Sequence, residues 1–411
     1  MKTSNPSAFS AKILNTAVIV AALGYFVDIY DLVLFSIVRI KSLQDLDITA
    51  PEALLEQGVR LINMQMTGML LGGILWGILG DKKGRISVLF GSILLYSTAN
   101  ILNGFVHNIE MYAWLRFIAG LGLAGELGAG ITLVAEVLPK EKRGYGTTIV
   151  ASVGIMGAIL AAVIGEYFTW RTAYFVGGGL GLLLLFLRIG VYESGLFAKT
   201  QQEQVSRGNF FSLFTNAPRF WKYLKCILIG VPIWFMVGVL ITFSPEISQA
   251  LHTTAPISSA KAIALSYFGL TLGDIASGLL SQKLRSRKKA ILLFLLILCV
   301  AIALYLLAEG AHENYIYALC VALGFGGGYW AVFVTIAAEQ FGTNIRATVT
   351  TTVPNFVRGA VVLLTLSFSQ LRDNLGLLQT AAWLGGLTIA MALLSILTLP
   401  ESYGKELDYN E

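Results

Sequence analysis

The chain reads as an all-α integral membrane protein, with twelve transmembrane helices in two pseudo-symmetric six-helix halves. Three observations predict this. Mean hydropathy is +0.72, and 56% of the 411 residues are apolar against 13% charged, a balance no ordinary soluble domain carries. Apolar runs between charged breaks centre near residues 26, 70, 96, 126, 156, 183, 234, 272, 299, 328, 359 and 388, and each suits the roughly 20 residues that cross a bilayer core. The layout also repeats: Ala135-Glu136 and Arg143 return as Ala338-Glu339 and Arg346, and Thr147-Thr148 as Thr350-Thr351. Residues 1–195 and 223–402 form the halves, 196–222 the linker and 403–411 a tail. The dyad alternation of membrane strands is absent, which argues against a barrel.

Charge placement orients the chain. With the N-terminus inside, about twenty Lys and Arg fall on the cytoplasmic face and about six on the other, fixing N-in, C-in topology. The net charge of +5 is thereby explained without a nucleic-acid partner. Cys226, Cys299 and Cys320 sit in apolar runs without CxxC pairing and read as packing residues. His107, His252 and His312 lie in loops far apart, so no metal site and no cofactor is expected. No Ser/His/Asp constellation faces one cavity, which argues against an enzyme. No Asn-x-Ser/Thr sequon occurs except the Pro-blocked Asn5, which favours a bacterial inner membrane.

Span 1 follows a polar tail, residues 1–11, and its apolar run of about 25 residues reads as a retained span instead of a cleaved signal. Its GYFVDIYD places Asp28 and Asp31 three apart, hence on one face, flanked by Tyr25 and Tyr30. Two ionised carboxylates against lipid are very costly, so they face a cavity or a cation, or one is protonated. The alternative is a paired polar network with no transport role.

Span 2 ends in GILGDKKGR, Gly77 to Arg85. The short loop forces spans 2 and 3 into a tight hairpin, and Asp81 is placed to meet the positive N-terminus of another helix. This stretch resembles the signature loop of the major facilitator superfamily. The resemblance implies a conformational latch at Gly77, Asp81, Gly84 and Arg85, joined by the repeated Glu136, Arg143, Glu339 and Arg346. At the matching place in the second half, Gly68, Gly72 and Gly77 correspond to Gly269, Gly273 and Gly278, while Gln282 replaces the Asp. Span 8 also carries Asp274, either a substrate group or a hydrogen-bonding partner of a neighbouring helix.

Span 4 contains RFIAGLGLAGELGAG, Arg116 to Gly130, with ionisable residues inside an apolar run. It resembles the fourth helix of the metabolite:proton symporter family, with Ala124 where that family's pattern has Gly. Asp31 and Arg116 both lie about 6 to 10 Å from the external boundary and are able to pair. Glu126 is some 15 Å deeper than Arg116, near the midplane where substrates and coupling ions bind. The alternative for Glu126 is a buried protonated acid bonded to a backbone carbonyl. The resemblance implies proton coupling at Asp28, Asp31, Arg116 and Glu126.

In span 5, Ala158, Ala161 and Ala162 replace the Gly-Pro and paired Gly of the superfamily's drug exporters. Trp170-Arg171 reads as an interfacial anchor ahead of span 6. The linker is too short for a catalytic domain and suits one or two interfacial helices. Pro232 suggests a bend in span 7, with Trp234 facing the cavity. In span 10, GFGGGYWAVF lets Tyr329 and Trp330 approach another helix, as core or as substrate platform. Span 11 puts Arg358 about 16 Å from the inner boundary, where its permanent charge needs an anion: Asp274, Glu126 or a substrate carboxylate. Asn355 stands one turn away. A cationic residue on the eleventh span is similar to organic-anion members of the superfamily, and PESYGKELD, after span 12, resembles the endings of its metabolite and sugar branches.

The expectation is a monomeric secondary transporter in a lipid bilayer, taking up a small carboxylate-bearing metabolite by alternating access. Substrate contacts are assigned to Arg358, Asn355, Tyr30, Asp274, Trp234, Tyr329 and Trp330. The proton gradient supplies the driving force, with sodium coupling and uniport left open. The alternatives are proton-coupled efflux of drugs or siderophore-like compounds, or a cationic or zwitterionic metabolite.

Overall fold

The computed structural model describes residues 16–83, 85–126, 140–192 and 210–405, leaving aside the side chains of 16–17, 80–83, 85–87, 140–145, 147–148, 189–192, 212, 343–344 and 347. The latch positions Asp81, Gly84, Arg85, Glu136 and Arg143 lie outside this description. Every described secondary element is helical. Ten helices among the described residues are long and apolar enough to span a bilayer, and Val88–Asn103 is a shorter apolar helix. With Ile109–Leu123 as the described stretch of span 4, these form the twelve spans read from the sequence.

Spans 1 to 3 are Thr16–Gln44, Pro51–Lys83 and Arg85–Asn103. Span 5 comprises Lys140–Ile155 and Gly157–Tyr167, and span 6 is Trp170–Tyr192. Span 7 runs through Ala217–Phe235 into a π-helical stretch, Met236–Ile241, just past Pro232, which has no N–H to extend the regular ladder. Spans 8 and 9 are Ser259–Lys283 and Arg287–Leu306. Span 10 is split into Glu313–Gly327 and Trp330–Glu339, while spans 11 and 12 are Thr343–Leu375 and Leu377–Thr398. Loop residues stop the ends from fraying. Asn108, Ser258 and Ser286 accept from the backbone N–H three residues on, and His312 Nδ1 accepts from Asn314 N at 3.2 Å. His312 is thus a cap.

The repeat seen in sequence is repeated in packing. A methyl group at Gly68 would overlap the Phe117 carbonyl of span 4, and one at Gly72 the Leu121 carbonyl. In the second half, Gly269 and Gly273 meet the Val321 and Phe325 carbonyls of span 10 in the same way. Lipid provides no hydrophobic drive between helices, so this backbone contact supplies the dispersion energy that holds each pair.

One aromatic departs from expectation. Trp170 is only 5% exposed, so it is not an interfacial anchor. Its Nε1 donates to Asp45 Oδ2 at 3.1 Å, Arg171 also bonds Asp45, and Arg171 Nη2 donates to Val106 O at 3.0 Å. The hydrogen bond from Arg171 holds the Asp45 carboxyl below its ordinary value. The cluster ties span 6 to the ends of spans 1 and 3.

Candidate functional site

Arg358 sits at the centre of the molecule. Span 11 carries it one turn after Pro354 and Asn355, and Asn355 is fixed by donating to Ala124 O and Thr351 O, both at 2.8 Å. The first of these bonds joins the two halves. Arg358 is fully buried, and its Nη2 lies 3.8 Å from Asp28 Oδ2, a charge contact longer than a hydrogen bond. Nη1 reaches Asn355 Oδ1 at 3.5 Å. Nε and Nη2 have no hydrogen-bond partner among the described residues, and neither has either oxygen of Asp28. The guanidinium lies 5.6 Å from the ring centroids of both Trp234 and Trp330, so the rings compensate part of its lost hydration.

Arg358, Trp234 and Trp330 line a cavity between the halves, with Tyr25, Ile155 and Tyr267 among its other walls. It measures about 20 Å³, one water molecule's worth. Trp330 Nε1 is another buried donor without a hydrogen-bond partner among the described residues. A small space with N–H donors and aromatic walls is suited to a compact anion.

Within the first half the charges are distributed differently. Glu126 receives two hydrogen bonds from Arg188, one of them Nη1 to Oε2 at 3.1 Å, and both residues are 1% exposed. Arg116 bonds Gln65 and lies 5.2 Å from the Phe35 ring and 5.8 Å from that of Tyr174. Asp31 has both oxygens without a hydrogen-bond partner among the described residues. The Tyr30 hydroxyl donates to Ala173 O at 2.9 Å, which keeps it inside the first half.

In the second half Asp274 takes the helix-to-helix role. Its Oδ1 accepts from Ala331 N at 2.8 Å and caps the restarted half of span 10. The break lies at a close helix crossing, where a methyl group at Gly328 would stand 2.5 Å from Gly273 Cα. Tyr329 donates to Ile229 O at 3.0 Å and braces span 7. On the linker face, Glu339 accepts from Arg287 Nη2 at 3.1 Å and from the Ser402 hydroxyl at 2.7 Å, while Arg346 donates to Ala338 O and Phe341 O. Glu401 accepts from the backbone of Arg287, Ser402 and Tyr403, and the Tyr403 hydroxyl donates to Gln282, the residue standing where the first half has Asp81. Gly77 faces Thr351 and Thr352 across the halves.

Of the residues singled out in sequence, Arg358, Asn355, Asp28, Trp234 and Trp330 converge, whereas Tyr30, Tyr329 and Asp274 have hydrogen bonds within their own half. Sequence reasoning missed Arg188, although a charge in LLLLFLRIG was its signal. It named Tyr25 only as a flank of the acid pair and not as a wall of the cavity, and it missed Tyr267, which carries no signal beyond being aromatic.

The sequence model of the Major Facilitator Superfamily matches residues 16–364. The chain is 29% identical to a metabolite transport protein of Haemophilus influenzae, over 95% of this chain and 97% of that one. It is 25% identical to the 3-(3-hydroxy-phenyl)propionate transporter of Escherichia coli, over 68% and 69% of the two chains. Its fold matches that of the proton:xylose symporter XylE at a TM-score of 0.72 and 15% identity, covering 98% of each chain. A helical bundle with a cavity between two repeated halves is the architecture of a secondary transporter of small metabolites and not of an enzyme, and the chain belongs to the Major Facilitator Superfamily.

Proposed function

We propose that the protein imports a small carboxylate-bearing metabolite with protons, by alternating access, with the linker and both termini on the cytoplasmic side of a bacterial inner membrane. The observation that carries this is Arg358: a permanent cation, fully buried, with two nitrogens that have no hydrogen-bond partner among the described residues and a counter-ion 3.8 Å away that does not hydrogen-bond it. Protonating Asp28 cancels that counter-charge and frees the guanidinium for a substrate carboxylate. Substrate and proton binding are then linked, each favouring the other. Asp31, beside Arg116, is the second proton site, while Glu126 is engaged by Arg188 as an ion pair. The aromatic walls favour a carboxylate on a flat or unsaturated body, in keeping with the aromatic acid named for the Escherichia coli relative.

Thermal unfolding of the purified protein against a panel of organic acids, zwitterions and organic cations tests the reading. A ligand at 100 times its dissociation constant adds about 2.7 kcal/mol. Flat carboxylates such as benzoate and nicotinate are expected to stabilise the protein. Arg358→Ala abolishes the effect, and Arg358→Lys weakens it because the ammonium lacks the two-pronged geometry. Stabilisation by cations alone would overturn the carboxylate assignment.

A further inference from the structure

Span 3 carries a polar face that the substrate cavity does not use. Tyr96, Asn100 and Asn103 recur at four- and three-residue steps and therefore share one helix face, with Ser97 beside them. All four are fully buried, and every nitrogen and oxygen of their side chains lacks a hydrogen-bond partner among the described residues. Both oxygens of Asp31 on span 1, and Nε and Nη1 of Arg116 on span 4, share that condition. The groups lie together. Asn100 is close enough to act on the Asp31 carboxylate, although the two do not meet in hydrogen-bonding geometry, and Asp28 and Arg116 are the charges acting on it. Span 6 presents glycines here: a methyl group at Gly177 would overlap Asp31 Oδ1, and one at Gly181 would overlap Ser97 Oγ.

A buried polar atom left unpaired costs about 1–3 kcal/mol, so a dry bundle does not sustain a whole row of them. Water satisfies such groups, and amides and hydroxyls that both donate and accept order it into a chain. The row ends at Asn103, the last residue of span 3, which is itself fully buried and stands two residues before the exposed Phe105 on the face opposite the linker. It has an inner end at Asp31, and no residue of span 3 lines the substrate cavity.

We propose that the first half encloses a water-filled polar channel, separate from the substrate cavity, that runs along span 3 from Asn103 to Asp31 and delivers protons to that carboxylate. The role of Asp31 rests on the proton-coupled reading above; the existence of the channel does not. The positive charge of Arg116 beside the inner end disfavours a resident metal cation but leaves proton transfer through water open.

Radiolytic hydroxyl labelling of the full chain in lipid nanodiscs tests this, because radicals born from bound water mark the side chains that touch it. Tyr96 is compared with Tyr329, which is equally buried but has its hydroxyl bonded to Ile229 O. Tyr96 is expected to label several-fold faster than Tyr329, and Asn103→Leu, which plugs the outer end, to bring it down to the Tyr329 rate. Equal labelling of the two tyrosines in the unmodified protein overturns the proposal, whether or not the variant folds. Faster labelling of Tyr96 when choline replaces sodium would overturn it in favour of a resident sodium ion. Neither readout needs substrate, so a failure here is distinct from a failure of the carboxylate assignment.

Discussion

The Glu126–Arg188 pair shows what a buried charge requires of its neighbours. Each residue is 1% exposed, and the carboxylate takes two hydrogen bonds from the guanidinium. Gly24 of span 1 packs on the pair so closely that a methyl group there would overlap both side chains. Removing one partner strands the other charge. Arg188→Leu alone, or Glu126→Leu alone, is expected to destabilise the protein by about 3–5 kcal/mol, while the double variant recovers most of the loss. Detergent-unfolding midpoints of the four proteins check this, and additive losses would mean that the pair is not a unit. The same residues mark a limit of reading from sequence. Glu126 stands out as an acid in an apolar run, and Arg188 is legible by the same criterion. Which cation faces Glu126 depends on how spans 4 and 6 are rotated about their axes, and spacing along one chain does not contain that rotation. Depth paired Arg116 with Asp31 and left Arg358 as a candidate cation for Glu126, yet Arg188 holds Glu126 while Arg116 bonds Gln65 and lies near two aromatic rings.

Broken helices, more than continuous ones, shape the second half. Span 10 stops at Gly327 and restarts at Trp330, and the restart exposes N–H groups that no turn of its own satisfies. Asp274 answers one of them through Ala331 N, which makes a lone acid in span 8 part of the scaffold that aims Trp330 at Arg358. Asp274→Asn keeps an acceptor oxygen and is expected to leave stability and ligand response close to the parent. Asp274→Ala removes it and is expected to destabilise by about 0.5–2 kcal/mol. The thermal shift of both variants with and without a stabilising carboxylate decides the matter, since loss of ligand response in Asp274→Asn would return this residue to the binding site. The glycine run of span 10 made close approach legible. The break did not follow, because it lies where Gly273 stands opposite Gly328, a contact across about 55 residues of chain.

At the scale of the whole molecule, contacts join the halves on both sides of the cavity. Toward the linker, Asn355 holds Ala124 O. On the opposite face, Arg39 at the end of span 1 bonds Glu246 of the short helix Ser244–Ala250 at 2.6 Å, Ser36 meets Thr242 at 3.3 Å, and Asn63 accepts from Thr365 at 2.6 Å. The repeat of the halves was legible from residue types at matching spacing, but these contacts were not: Arg39 and Glu246 read as ordinary charges near loops until the fold brings them together. Arg39 is 0% exposed, and its guanidinium also lies 4.9 Å from the Phe243 ring, so the pair is partly desolvated and worth more than a surface bridge. Alternating access requires such contacts to break and re-form, and their strength sets the balance between closed and open states. Truncating one member of a buried bonded pair loses about 2–5 kcal/mol, and about 1.4 kcal/mol already shifts a population tenfold. Glu246→Gln is therefore expected to open the face opposite the linker. The readout is the labelling rate, by a soluble thiol reagent, of the cysteine introduced by Ile29→Cys at the cavity wall, in a chain whose three native cysteines are replaced by alanine. A rise of tenfold or more over the same chain with Glu246 intact assigns the pair to the closing of that face, whereas an unchanged rate would show that Ser36, Asn63 and the apolar contacts hold that face closed without it.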